Sequence, residues 1–196
     1  MNLPNKLTIL RAILVPVFIA CLLYIPNAII CGLVSAAVFG ITAFTDFLDG
    51  KIARERKLVT KFGKFMDPLA DKFMVFCALL AITVKMFQYG ITIMGHVMVW
   101  SCAIVFLREL GVTSLRMVAA KEGEAPIAAN FFGKAKTVTQ IIAIVAILLE
   151  FAVVVGIGFN TYFILSYVAI GVMLFMTVAS GINYLKIYGK HIDPNE

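Results

Sequence analysis

The chain has 196 residues, of which 62% are hydrophobic and 14% charged, with a mean hydropathy of +0.99 and a net charge of +6. A soluble chain is about 45–50% apolar and about 25% charged, so this composition excludes a soluble domain, a disordered chain and a small disulfide-held secreted module. The four cysteines lie in apolar stretches and are predicted to be buried apolar residues. We predict one membrane-embedded domain over residues 1–196.

Charge-free stretches separated by turn residues predict six helices. No residue from Ala12 to Thr45 is charged, and Pro26-Asn27 interrupts this run, which predicts two spans of about 20 residues joined by a tight turn. Later breaks fall at Gly90, residues 121–133 and Gly156-Ile157-Gly158. The predicted spans cover about 7–25, 28–48, 66–87, 91–120, 136–155 and 160–185.

The basic residues predict the orientation of these spans. If both termini are cytoplasmic, Lys85 is the one residue among 17 Lys and Arg that lies beside an outer loop. Such an asymmetry follows the positive-inside rule and brings the basic face against anionic lipid headgroups. We therefore predict an all-α integral membrane protein with six transmembrane helices and both termini cytoplasmic. Nucleic-acid binding is not expected, because no soluble basic domain is present to carry it.

Four aspartates crowd at the predicted cytoplasmic ends of spans two and three: Asp46, Asp49, Asp67 and Asp71. The members of each pair are three or four residues apart, which places each pair on one helix face. A single acid here would be explained as a helix cap or topology marker, but four acids at membrane depth are costly without a function. Four hard oxygen donors suit Mg²⁺ or Mn²⁺ and can hold two ions, which is an arrangement used in phosphoryl displacement.

An ion-coupled transporter or cation channel is the alternative from a different class of protein. It requires acids near the middle of the membrane and a polar path to the outer side, whereas these acids lie at one interface and the outer half is apolar.

The segment between the aspartate pairs is suited to phosphate binding. Its small residues allow close approach to the backbone, and Arg54 offers a planar fork to phosphate oxygens. The stretch Asp46-Phe-Leu-Asp49-Gly50-Lys-Ile-Ala53-Arg54, followed after eight residues by Gly63-Lys-Phe-Met-Asp67-Pro-Leu-Ala-Asp71, resembles the signature DxxDGxxAR…GxxxDxxxD of the CDP-alcohol phosphotransferase family. It matches this signature at every fixed position.

The resemblance implies a six-helix membrane enzyme, usually dimeric, that transfers a phosphate-linked group from a CDP-alcohol to an acceptor alcohol and releases CMP. By position, it implies that the four aspartates are ligands of a metal pair and that Asp71 is the general base for the acceptor hydroxyl. It implies that the CDP-binding residues are Asp46, Gly50, Ala53, Arg54 and Gly63, with Thr60 nearby. The sequence has no Ser/His/Cys arrangement for a covalent intermediate, which favours a single in-line displacement.

Basic residues in the later spans predict an acceptor that carries a phosphate. Arg108 and Arg116 are eight residues apart, so they differ by about 80° around a helix and can face one pocket. Lys134 and Lys136 open span five on the same side of the membrane. The alternative is that these side chains snorkel toward headgroups, or that Arg108 pairs with Glu109.

Four further segments are similar to those of bacterial family members that make phosphatidylglycerophosphate: Pro4-Asn5-Lys-Leu-Thr8-Ile-Leu-Arg11, Arg108-Glu109-Leu, Leu115-Arg116 and Gly133-Lys134-Ala-Lys136-Thr137. The similarity implies CDP-diacylglycerol as donor, glycerol 3-phosphate as acceptor, and Asn5, Thr8 and Arg11 as support for the acceptor site. It also implies a site at the cytoplasmic face of the bacterial cytoplasmic membrane. Inositol phosphate, serine and phosphatidylglycerol stay open as other acceptors.

Overall fold

The computed structural model describes residues 3–55, 61–121, 131–159 and 161–188, and this part of the chain is helical throughout apart from short turns. For some helical residues the structure describes the backbone but not the side chain: residues 3–5, 47, 49–55, 61–69, 71, 116, 118–121, 131 and 188. The helices are α1 (Leu3–Tyr24), α2 (Ala28–Glu55), α3 (Lys61–Gln88), α4 (Thr92–Lys121), α5 (Phe131–Phe151) and α6 (Ile164–Tyr188). A π-helical turn, Ala152–Ile157, extends α5.

The turns fall where the sequence predicts them. Between α1 and α2, the side-chain oxygen of Asn27 accepts a hydrogen bond from the backbone N–H of Ile30 at 3.0 Å, which caps the start of α2. Gly90 ends α3 with a φ of +70°, a left-handed conformation that glycine adopts without steric cost.

Five helices of the described part are long and apolar enough to cross a membrane: Lys6–Tyr24, Ala28–Asp46, Thr92–Leu115, Phe132–Ile157 and Ile164–Ile187. In helix α3, Lys72 and Lys85 lie at the two ends of the apolar portion. The predicted all-helical membrane fold is therefore confirmed at this level. The predicted count of six spans and the location of the termini stay predictions.

The helices close into a ring in which each helix packs against two or three others. Helix α1 packs against α2 and α3, α4 packs against α3 and α6, and α5 packs against α2, α6 and α3. Large apolar side chains fill the interior, among them Phe39, Leu79, Met98, Ile147 and Phe151. Others point outward and are more than half exposed, as expected of a surface that faces lipid: Phe44, Trp100, Val168 and Phe175.

Two buried charged residues lie at the end of the bundle that holds the α1–α2 turn. Lys85 is 2% exposed, and its Nζ lies 3.5 Å from the carbonyl oxygen of Ile25 and 5.0 Å from the ring centroid of Tyr89. A carbonyl at a helix end and an aromatic face both attract a cation, so Lys85 ties α3 to the end of α1.

Glu150 is the second of these charged residues, and its carboxylate caps the start of α6. It accepts hydrogen bonds from the backbone N–H groups of Leu165 (3.2 Å) and Ser166 (2.6 Å). The hydroxyl groups of Thr161 (2.8 Å) and Ser166 (2.6 Å) also donate to it. A carboxylate at a helix N-terminus satisfies N–H groups that have no partner within the helix. Glu150 therefore fixes the connection between α5 and α6.

Helices α2 and α5 approach closely at Gly32. A Cβ atom built on Gly32 would lie 2.5 Å from the carbonyl oxygen of Leu148 and 2.7 Å from the Cβ of Ala152. Since backbone atoms cannot move aside cheaply, only glycine fits this contact. Small residues allow membrane helices to pack closely in this way.

We expect Gly32→Ala to destabilise the protein by about 1–3 kcal/mol, the usual cost of overpacking a close contact. The measurement is the thermal midpoint of the purified protein in detergent. Gly40→Ala in the same helix is the matched control, because a Cβ there meets nothing within 4 Å. Equal midpoints for the two variants would contradict the prediction.

Candidate active site

Asp46 is paired with Arg11 across the contact between α1 and α2. The Arg11 Nη1 lies 2.6 Å from the Asp46 Oδ1, and the Arg11 side chain is completely buried, whereas that of Asp46 is 27% exposed. A buried guanidinium requires a counter-charge, so this pair fixes the position of α1 against α2. Because α1 also packs against α3, Arg11 lies on the helix between the two aspartate-bearing helices.

The other predicted metal and CDP residues lie on α2 and α3 or outside the described residues. Asp49, Gly50, Ala53 and Arg54 follow Asp46 within α2, and Gly63, Asp67 and Asp71 lie within α3, all with side chains outside the description. Thr60 lies outside the described residues. Within the described part, no three acidic, His or Cys side chains form a metal-binding group. The predicted metal and CDP sites therefore stay predictions.

A polar cluster joins four helices at the same end of the bundle as the Arg11–Asp46 pair. We call it the Glu109 cluster, and it comprises Lys72, Arg108, Glu109, Thr113, Lys136 and Ser180. At its centre, the Glu109 Oε1 accepts a hydrogen bond from the Arg108 Nη1 at 2.9 Å and a second from the Lys136 Nζ. One carboxylate oxygen therefore joins a cation of α4 to a cation of α5.

Helix α6 supports Arg108 on its other side. The Arg108 Nη2 donates to the Ser180 Oγ at 2.5 Å, and the guanidinium carbon lies 5.6 Å from the ring centroid of Tyr184. Gly181 makes room for the arginine stem, since a Cβ at that position would lie 3.3 Å from the Arg108 Cγ. The Arg108 Nε is buried without a hydrogen-bond partner in the described part of the chain. The guanidinium is therefore held firmly and keeps an unused donor.

Helix α3 enters the cluster through Lys72, the residue after Asp71. The Lys72 Nζ donates to the Thr113 Oγ1, and that hydroxyl donates to the carbonyl oxygen of Glu109 at 2.7 Å. This chain of contacts connects the helix that carries Asp71 to the turn of α4 that carries Glu109.

Beside Arg108, a groove of about 270 Å³ runs between α4 and α6. Its walls are almost entirely apolar, with Leu107 and Leu115 on α4 and Ile182 and Leu185 on α6. Arg108 is therefore flanked by the polar cluster on one side and by an apolar surface on the other.

The remaining predicted acceptor residues lie at different places. Lys136 is buried, whereas Lys134 is exposed, because two residues along a helix turn the side chain by about 200°. Thr8 is buried on α1, one turn before Arg11. The side chains of Asn5 and Arg116 lie outside the description. Of the four predicted phosphate-binding residues, the structure thus brings Arg108 and Lys136 together on a common carboxylate.

The sequence did not identify Lys72, Thr113, Ser180 or the Lys136–Glu109 contact as parts of this site. The sequence indicates Glu109 as a local partner of Arg108 and as part of the Arg108-Glu109-Leu segment. Its weak signal was its position as a lone acid in an otherwise apolar and basic span, where an acid needs a partner from another helix.

Residues 1–183 match the CDP-alcohol phosphatidyltransferase family. The chain belongs to this family and is an enzyme of that class. Enzymes of the family generally depend on a divalent metal ion.

Curated relatives match almost the whole chain. A CDP-diacylglycerol–glycerol-3-phosphate 3-phosphatidyltransferase of Bacillus subtilis is 39% identical over 93% of each chain. A protein of the same name from Haemophilus influenzae is 34% identical over 95% of this chain and 92% of its own length. A probable phosphatidylglycerophosphate synthase of Mycobacterium tuberculosis is 33% identical over 94% of this chain and 80% of its own.

We expect Arg11→Met to destabilise the protein by about 1–3 kcal/mol, because the partly exposed Asp46 carboxylate loses its partner. The readout is the thermal midpoint in detergent. Lys6→Met is the control, since Lys6 is exposed on the same helix. If Arg11→Met unfolds at the wild-type temperature, the pair does not fix α1 against α2.

Proposed function

We propose that the protein transfers a phosphatidyl group from CDP-diacylglycerol to glycerol 3-phosphate, making phosphatidylglycerophosphate and CMP. Relatives of this name at 34–39% identity over most of the chain support the proposal. The single structural observation that carries it is the meeting of Arg108 and Lys136, from two helices, at the end of the bundle that holds Asp46.

The chemistry of these side chains suits the proposed acceptor. Glycerol 3-phosphate differs from a simple alcohol by a phosphate group, and a planar guanidinium with a nearby ammonium binds phosphate oxygens well. Lys134 and Arg116 complete the proposed acceptor site, with Asn5, Thr8 and Arg11 in support. An acceptor without a phosphate group, such as serine, would not require two cations at this position.

In the proposed reaction, the acceptor hydroxyl oxygen bonds to the phosphorus that carries diacylglycerol. The bond from that phosphorus to the oxygen of the departing CMP breaks, and Asp71 takes the hydroxyl proton. The donor set of Asp46, Asp49, Asp67 and Asp71 consists of hard oxygen ligands and fits Mg²⁺ or Mn²⁺, with two ions proposed. Bound ions supply charge neutralisation for the pyrophosphate and for CMP.

The CDP head is proposed to be held by Asp46, Gly50, Ala53, Arg54, Thr60 and Gly63. The fold is proposed to be one domain over residues 1–196 with six spans, both termini cytoplasmic and the active site at the cytoplasmic face. A homodimer is the proposed assembly, as the family resemblance implies. The basic residues of the sequence support the orientation, since Lys85 alone lies beside an outer loop.

An acceptor panel tests the proposed function. Purified protein with CDP-diacylglycerol and Mg²⁺ or Mn²⁺ is expected to release CMP with glycerol 3-phosphate, and far less with inositol phosphate, serine or phosphatidylglycerol. The measurement is CMP release together with identification of the lipid product. CMP release with another alcohol, and none with glycerol 3-phosphate, would show that the acceptor is wrong.

Asp71→Asn is expected to lower CMP release by about 10²–10⁴-fold, the usual contribution of a general base, while binding of CDP-diacylglycerol is retained. Asp71→Glu serves as the comparison that keeps the carboxylate. Cation flux through reconstituted wild-type protein without any nucleotide would instead support the transporter alternative.

A further inference from the structure

We propose that Glu109 is a positioning residue of the acceptor site, and that it holds Arg108 and Lys136 side by side to receive the acceptor phosphate. This inference rests on the proposed function. Glu109 is not one of the aspartates of the signature, and its role is to fix two cations that come from different helices.

The geometry at Glu109 supports this role. Arg108 and Lys136 both donate to its Oε1. All three side chains are largely buried, with exposed fractions of 10% for Arg108, 8% for Lys136 and 15% for Glu109. Two cations this close repel each other in surroundings of low dielectric constant. Without the carboxylate, repulsion by the Arg108 guanidinium would move the Lys136 ammonium away, and the phosphate would then lose one of its partners.

The Glu109 cluster also leaves donors available for a phosphate. Arg108 has five N–H donors. Within the described part of the chain, one on Nη1 bonds to Glu109, one on Nη2 bonds to Ser180, and the Nε donor has no partner. Lys136 has three donors, and Glu109 accepts from it. The two cations can therefore keep their contact with Glu109 while they bind an anion.

The cluster sets the position of these cations relative to the proposed general base. Thr113 bonds to the carbonyl oxygen of Glu109 and accepts from Lys72, which follows Asp71 on α3. Ser180 fixes Arg108 from α6. Because the contacts run from α3 to α6, a phosphate bound at Arg108 and Lys136 would be held at a fixed distance from the helix of Asp71.

The test compares KM values for the two substrates. Glu109→Gln is expected to raise the KM for glycerol 3-phosphate about tenfold or more, because both cations lose their shared ionic partner. The KM for CDP-diacylglycerol is expected to stay within about twofold of wild type. Glu109→Asp, which keeps the charge, should recover part of the loss.

A double-mutant cycle shows whether Glu109 acts through Lys136. In a Lys136→Met background, Glu109→Gln is expected to raise the KM for glycerol 3-phosphate by less than about threefold. Glu150→Gln is the matched control, since it makes the same change in a buried acid at the opposite end of the bundle. It is expected to lower the thermal midpoint and to leave both KM values unchanged.

Three results would overturn the proposal: an unchanged or lower KM for glycerol 3-phosphate in Glu109→Gln, an equal rise in both KM values, or full additivity with Lys136→Met. A failure of the proposed function is distinguishable, because it shows in the wild type. If the wild type uses a different phosphorylated alcohol, the same variants are tested with that alcohol. If it uses only an alcohol without phosphate, both proposals are wrong.

Discussion

Charges buried in an apolar bundle must be compensated inside the protein, because neither lipid nor a packed core solvates them. In the described part of the chain, this requirement selects the contacts between helices. Arg11 pairs with Asp46 across α1 and α2, and Glu109 joins Arg108 of α4 to Lys136 of α5. Close packing, as at Gly32, sets the separation of the helices, and the ion pairs add partners that must meet across them. Each ion pair favours one alignment, so the charges proposed to serve the chemistry also help to determine how the helices fit together.

The two ends of the bundle use buried charge differently. At the end with Asp46, the Glu109 carboxylate meets two cations, and within the described part of the chain the Nε of one of them, Arg108, has no hydrogen-bond partner. At the other end, Glu150 accepts four hydrogen bonds, and Lys85 lies against a carbonyl and an aromatic ring. The first arrangement suits a site that binds and releases an anion, whereas the second is suited to holding helix ends in place.

Much of the fold could be predicted because its signals are local. Charge-free runs of a fixed length, broken by Pro26-Asn27 and Gly90, give the helices nearly as observed. The aspartate signature could be read for the same reason, since its residues lie on two helices that are consecutive in the sequence. The Glu109 cluster could not be predicted in full, because Lys136 and Ser180 are distant in sequence from Glu109. Their meeting depends on how α4, α5 and α6 are rotated and on the ring order of the helices, neither of which leaves a local pattern.

The Glu150 cap has a consequence for how the chain enters the bilayer. A charged side chain at the centre of a spanning segment costs roughly 2.5–3.5 kcal/mol on insertion scales, and Glu150, which lies nearer the end of α5, opposes insertion by a smaller amount. The hydrogen-bond donors that satisfy Glu150 belong to the start of α6 and the turn before it. If α5 inserted alone, its carboxylate would cross the hydrocarbon layer without those partners. Biogenesis is therefore easiest when α5 and α6 partition together as a helical hairpin, with the hydrogen bonds of the Glu150 carboxylate already formed to the start of α6.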